Sequence, residues 1–372
     1  MKITDVEAIP LRLPVVTDAA DSTQDALIIR VHTDEGITGI GEVDASPGVI
    51  KAIVDAPQSH QISNGLRAIL VGKNPLEPAR LWDLMYEGTI FFGRRGAAIM
   101  AMSGVDIALW DIVGKVARQP VCRMLGTPYR DRILAYASTL MPDTPAEASR
   151  EAARWAAENF RAIKMGWGGF GRSFEQDVAL VAAARRAIGP NVELLLDLGF
   201  RWERRDGVEG ARQLEEFRPF WIEEPFLPDS LEQYARLADA SSIRVAAGEQ
   251  NTTRWEFLEL MERGHVDVIQ PDVTRAGGFT ECLRIVKAGT DRNRLCVPHA
   301  WSTGIIKAAS LHLIAVIPDA QFLEFCVKDS PLNLDLVRPR FAVDSDGTVA
   351  VPQGPGLGVE LDEEVLARYR VG

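Results

Sequence analysis

The chain is poor in several features that point directly to a function class. Only 4 of its 372 residues are cysteine (Cys122, Cys282, Cys296 and Cys326), scattered with no CxxC pair and no Cys/His zinc spacing. Such residues read as reduced, buried thiols of a cytoplasmic protein, not as a disulfide framework. Positive charge is scarce: 41 Lys and Arg against 52 Asp and Glu leave a net charge of −11, with no basic run. Nucleic acid and anionic membrane surfaces are therefore poor partners. No apolar run approaches the roughly 18 residues of a membrane helix. The opening "MKITDVEAIPLRLP" alternates like a strand and lacks the apolar h-region of a signal peptide. No linker-like or low-complexity stretch interrupts the chain. These absences predict a soluble, cytoplasmic protein with no nucleic-acid or membrane partner. An acidic protein of this kind needs a locally positive site, a metal ion or a placed lysine, to bind an anion.

What is present is an ordinary globular composition, 47% hydrophobic and 25% charged, long enough for a barrel-sized core and a smaller second domain. Residues 1–40 read as strands, with Asp34, Glu35 and Gly36 as a turn between two runs. Residues 63–125 read as helices, the longest running from "AAIMAMSGVDIALWDIVGK" to Gly126. From about residue 131 the rhythm changes. Short apolar runs such as "AIKMG", "VELLLD", "FWIEEP" and "VDVIQPD" alternate with helical stretches, eight times at about 25-residue spacing. That is the pattern of a parallel (β/α) TIM-type barrel, whose strands are covered on both faces. The predicted organisation is an α+β capping domain at 1–128, an α/β barrel at 129–328, and a turn-rich segment at 329–372 folding back on the cap.

Active sites of such barrels lie at the C-terminal ends of the strands. The residues that end the runs are Lys164, Asp197, Glu223, Glu249, Asp272, His299 and Glu324. From Asp197 onward they are spaced at intervals of 26, 26, 23, 27 and 25 residues. A single Asp at such a position would read as a helix N-cap. Asp197, Glu223 and Glu249 together, on consecutive strands, would repel one another and raise their pKa values unless a hard cation sat among them. Carboxylate-only ligation suits Mg²⁺, or Mn²⁺, better than zinc. A lone histidine is usually a satisfied core residue, but His299 neighbours the strand ending in Asp272, which can accept from one ring nitrogen and free the other as a base. His32, His60, His265 and His312 read as turn or mid-helix residues without such a partner. Lys164 closes an apolar run in "AIKMGWGG", where an unpaired ammonium would be costly. Two places on, Gly166 has no side chain. Trp167, Trp202 and Trp301 lie just past strand ends and read either as pocket walls or as interdomain packing.

These residues resemble the enolase superfamily, and within it the mandelate racemase group. The likeness spans nearly the whole chain, through "MSGVDIALWDIVGK", "WIEEP", "AAGE", "IQPDVTRAGG" and "VPHAW". The resemblance implies a modified (β/α)7β barrel, with Asp197, Glu223 and Glu249 as ligands of Mg²⁺ and Asp272 with His299 as a general acid/base dyad. Glu324 is implied to hydrogen-bond the substrate carboxylate, and Lys164 matches the first lysine of a Lys-x-Lys motif. The second, proton-transferring lysine is here Gly166. In "DLGF", Gly199 stands where relatives often carry Asn or a His acid. The expected reaction is dehydration of a sugar acid, an aldonate or aldarate, to a 2-keto-3-deoxy acid. The alternatives are a racemase, epimerase or cycloisomerase, and a catalytically silent sugar-acid binder. A homo-oligomer, dimer to octamer, is expected, with specificity in the loops at 15–24 and 43–52.

Overall fold

The computed structural model describes residues 1–19, 21–203 and 206–371. Strands β1 (Ile3–Arg12), β2 (Asp25–Thr33) and β3 (Thr38–Val43) form an antiparallel meander in that order. The β2–β3 turn closes at Gly36, whose φ of 78° is cheap only for glycine. Helices α1 (Pro47–Asp55), α2 (Leu66–Leu70), α3 (Pro78–Gly88), α4 (Ala97–Ala117) and α5 (Val121–Leu125) come next. The long helix anticipated to reach Gly126 stops instead at Arg118, left-handed at φ 53°, and restarts after Pro120. Proline cannot donate to the helical ladder. Helix α4 also corrects a second expectation. By length and composition it could cross a membrane, with a mean hydropathy of 1.5. Its apolar surface is used inside the protein: Ile99, Met102, Val105, Ala108, Leu109 and Ile112 pack with the meander in one core.

Eight parallel strands then alternate with seven helices: β4 (Arg132–Leu140), α6 (Pro145–Ala157), β5 (Ala162–Gly166), α7 (Phe174–Ile188), β6 (Glu193–Asp197), α8 (Gly207–Leu214), β7 (Trp221–Glu223), α9 (Leu231–Ala240), β8 (Arg244–Ala247), α10 (Thr253–Glu262), β9 (Val268–Ile269), α11 (Gly278–Asp291), β10 (Leu295–Cys296), α12 (Gly304–Ala315) and β11 (Leu323–Cys326). The sheet path is β10-β9-β8-β7-β6-β5-β4-β11. Past the end of β10, the Ala300 amide donates to Glu324 Oε2 at 2.8 Å and so ties the two path ends together. The fold is an α/β barrel of parallel strands with an N-terminal α+β capping domain.

The barrel interior is floored by aromatics. Tyr136, Trp221 and Phe322 are buried with Ala162, Leu195, Ala246, Val268 and Val297. Beyond the barrel lie α13 (Pro331–Leu334), β12 (Val337–Arg338), β13 (Thr348–Ala350), β14 (Glu360–Leu361) and α14 (Glu363–Tyr369). Strand β13 pairs antiparallel with β4, while Arg370 bridges to Leu11 of β1. The tail therefore touches both the barrel and the meander.

Candidate active site

Register places the carboxylates at one level. Gly166 of β5 is paired with Asp197 of β6, Asp197 with Glu223 of β7, and Glu223 with Ala246 of β8. Glu249 lies just past β8. Ligand oxygens of Asp197, Glu223 and Glu249 lie within 4.8 Å of one another, and all three residues are buried. Burial raises Asp197 well above the usual carboxylate range, and the Glu223 charge adds to it. This donor set fits a hard divalent cation: it is all oxygen, carries excess negative charge, and converges from three rigid strands.

Lys164, one pleat below Gly166, is buried and answered by carboxylates. Its Nζ lies 2.7 Å from Glu223 Oε1, 2.8 Å from Glu324 Oε1 and 3.8 Å from Asp197 Oδ2. Burial alone would depress its pKa, but Glu223 and Glu324 overcome that and hold it well above the ordinary lysine value. It is a fixed ammonium. Glu324 also accepts from Ser138 Oγ at 2.7 Å. Burial works to raise the Glu324 pKa, yet Lys164 and His299 bring it down to about 2.

The histidine lines the same cavity. His299 Nδ1 is 2.6 Å from Asp272 Oδ2 and Nε2 is 3.2 Å from Glu249 Oε2. Asp272 is fixed in turn by the amide and hydroxyl of Thr274, at 2.7 and 2.6 Å on Oδ1. Burial would lower the His299 pKa, but Glu249, Glu324 and Asp272 raise it to about 10.

Not every expected residue joins this cavity of about 210 Å³. Trp167 and Trp301 line it; Trp202 does not. The chain turns outward at Phe200 (φ 65°), and Trp202 is buried against Phe174 with Nε1 donating to Asp177 Oδ2 at 3.2 Å. The loop at 43–52 does not line the cavity either, because most of it is α1. Residue Ala20 of the 15–24 loop lies outside the described residues; Asp21 and Ser22 do line the cavity. Two other histidines have carboxylate partners that the sequence did not suggest: His32, on β2, lies 3.6 Å from Glu7, and His265 lies 2.9 Å from Asp239. Both pairs are remote from the site.

Sequence reasoning singled out neither Asp44, within the 43–52 loop, nor Arg275. Arg275 Nη2 lies 2.5 Å from Asp44 Oδ2, and Nε lies 3.6 Å from Asp272 Oδ2. The cap thus steadies the dyad through Arg275. That arginine lies inside "IQPDVTRAGG", while nothing local marks Asp44.

The two glycine departures share one physical cause. A Cβ on Gly166 would stand 2.4 Å from Asp197 Cβ, and one on Gly199 would stand 2.5 Å from the Trp167 indole. Trp167, itself left-handed at φ 53°, occupies the space that a residue-199 side chain would need.

Comparison with known proteins shows the family. Residues 2–126 match the mandelate racemase / muconate lactonizing enzyme N-terminal domain, and residues 147–365 match the enolase C-terminal domain-like model. A D-galactarolactone cycloisomerase of Agrobacterium fabrum is 32% identical, covering 100% of this chain and 99% of its own. A D-galactonate dehydratase of Ralstonia pickettii is 35% identical over 91% of this chain and 90% of its own. The crystal structure of a racemase from Streptomyces coelicolor with bound magnesium superposes with a TM-score of 0.86 at 31% identity, covering 99% of this chain and 100% of that one. The chain belongs to the mandelate racemase / muconate lactonizing enzyme family of the enolase superfamily.

Proposed function

We propose that the protein dehydrates a sugar acid to a 2-keto-3-deoxy acid with Mg²⁺. The observation that carries this reading is the one-sidedness of the site. His299, oriented by Asp272, is a proton acceptor on one face. Lys164, which would have to serve as a second base, is committed to three carboxylates, and Gly166 offers no side chain. Racemisation needs a proton donor on each face of a planar intermediate, whereas elimination needs only one.

A cation on Asp197, Glu223 and Glu249 would supply positive charge to the substrate carboxylate and cancel the Glu249 charge that most raises His299. Lys164, itself held by Glu324 at 2.8 Å, donates to the same carboxylate. His299 Nε2 removes the α-proton, and negative charge moves onto the carboxylate oxygens. The same Nε2–H then protonates the departing β-hydroxyl, which leaves as water on the same face. The resulting enol tautomerises to the 2-keto-3-deoxy acid. One residue serves as base and then as acid, so the elimination is syn.

The cycloisomerase relative supports a second reading, in which a ring oxygen leaves in place of a hydroxyl after the same proton abstraction. Incubation with Mg²⁺ and a panel of aldonates, aldarates and their lactones separates the two. Dehydration releases a 2-keto acid from open-chain substrates. Conversion of lactones alone would replace the dehydratase reading, and recovery of an α-epimer in D₂O without keto acid would point to an epimerase.

A further inference from the structure

The two sides of the cavity differ in chemistry. On the barrel side stand all the cationic groups among the described lining residues, Lys164, Arg275 and His299. Each is already matched by carboxylates: Lys164 by Glu223 and Glu324, Arg275 by Asp44, His299 by Asp272. The capping domain contributes Asp21 and Ser22, beside Trp301 and Gln250.

Asp21 is unusual among loop residues in that its side chain is only 3% exposed. Oδ1 accepts from the Thr23 amide and hydroxyl at 3.0 and 2.7 Å, and Oδ2 lies 3.3 Å from Lys328 Nζ. Lys328 is nearly half exposed and is not among the residues that line the cavity. The loop is pinned in place: Ser22 Oγ donates to the Trp301 carbonyl at 3.1 Å, and Ser330 Oγ donates to the Thr23 carbonyl at 2.8 Å.

A sugar acid with its carboxylate at Lys164 and its α-carbon at His299 extends the rest of its chain toward this loop. A terminal CH₂OH can donate to Asp21 Oδ2 alongside the half-exposed Lys328. A terminal carboxylate would instead face a buried like charge, with no unmatched cation among the described lining residues. Like-charge juxtaposition is how a pocket rejects a near-identical competitor. We infer that Asp21 sets the substrate class, admitting acids with a neutral, hydroxyl-bearing far end (aldonates) and excluding those with a second carboxylate there (aldarates). The assignment rests on the carboxylate-first binding of the proposed dehydration.

The test uses aldonate and aldarate pairs that differ only at the terminal carbon, over several C2–C5 configurations. Binding is measured by calorimetry with Mg²⁺ on the full chain, and keto-acid formation is read in parallel. For the best-bound configuration the aldonate should bind at least about 10-fold tighter. Asp21→Asn keeps an acceptor for Thr23 but removes the charge, and should bring the ratio to near unity. Lys328→Met removes the balancing charge from outside the cavity and should widen it. An aldarate bound as tightly as its aldonate, or a ratio unmoved by both variants, overturns the assignment of Asp21. If keto acid still forms in that case, the dehydratase reading stands alone. If no member of any pair binds or turns over, that reading falls and takes this inference with it.

Discussion

Gly166 and Asp197 are register partners, and the space above Gly166 is filled by the Asp197 side chain. The missing second base is therefore not a simple vacancy: a side chain at 166 and a metal ligand at 197 compete for one volume. Gly166→Ala should lower Mg²⁺ affinity about 10- to 100-fold by displacing Asp197, the range found when a ligand's support is lost. Calorimetric Mg²⁺ titration against an unchanged circular dichroism spectrum checks it; native affinity would show that Asp197 relaxes freely. Asp272 is a positioning residue with no role in touching substrate, since its oxygens are taken by Thr274 and His299. Asp272→Asn should cut kcat by about 10³- to 10⁴-fold, the size seen when an oriented histidine loses its carboxylate. His299→Asn should abolish α-proton exchange with D₂O, read by NMR. Exchange at the native rate in His299→Asn would mean that another group is the base.

Elements of the cap complete elements of the barrel. Helix α11 is preceded by Gly277 at its N-cap, which offers no side-chain cap of its own. Its first-turn donors go to α4: Asp106 accepts from the Thr280 amide at 2.9 Å and from its hydroxyl at 2.6 Å, while Ser103 Oγ accepts from Gly277 N at 2.8 Å. Glu42 of β3 serves α12 similarly, accepting from Thr303 and Ile306. Burial raises Asp106 and Glu42 each to about 7. Asp106→Ala would leave two buried donors unmatched and should cost about 2–4 kcal/mol of stability. Urea unfolding measures it, with Mg²⁺ affinity as the control because α11 carries no ligand. A loss below about 1 kcal/mol would mean that water replaces the carboxylate.

At the scale of the whole molecule, buried groups far from the site set acid stability. His312 of α12 accepts from the Cys122 amide at Nδ1 (3.3 Å) and donates from Nε2 to the Leu357 carbonyl (3.0 Å), joining α5, the barrel and the tail. Burial lowers its pKa from 6.5 to about 4. Between those values the unfolded chain binds the proton and the folded chain does not, so stability falls as the pH drops from 6.5 toward 4. At 1.36 kcal/mol per unit the full effect is roughly 3 kcal/mol. Denaturation of His312→Gln across pH 4–7 should show a shallower acid slope than wild type. An equal slope would assign the acid loss to other groups.

The barrel, its strand ends and the ionisable residues on them were legible because each βα unit repeats one local pattern: an apolar run, then a charged residue. Asp197, Glu223, Glu249, Asp272 and His299 are each visible within a few residues of their own strand, and register alone brings them together. Helix α4 was legible as a helix of the capping domain, but not as the source of the side chains that cap α11, because its partner donors lie 174 residues away in the chain. Asp44 and Asp21 fall within the loops at 43–52 and 15–24 expected to carry specificity, but neither was singled out there, because each gains its role from a side chain on another domain, Arg275 or Lys328. Trp202 shows the converse, since position after a strand does not say which way the chain turns, and the turn at Phe200 sends it into the core. Local periodicity is a property of the sequence by itself. Which long-range pair fills a given volume, as Trp167 does above Gly199, is decided only when the packed chain leaves room for one side chain and not two.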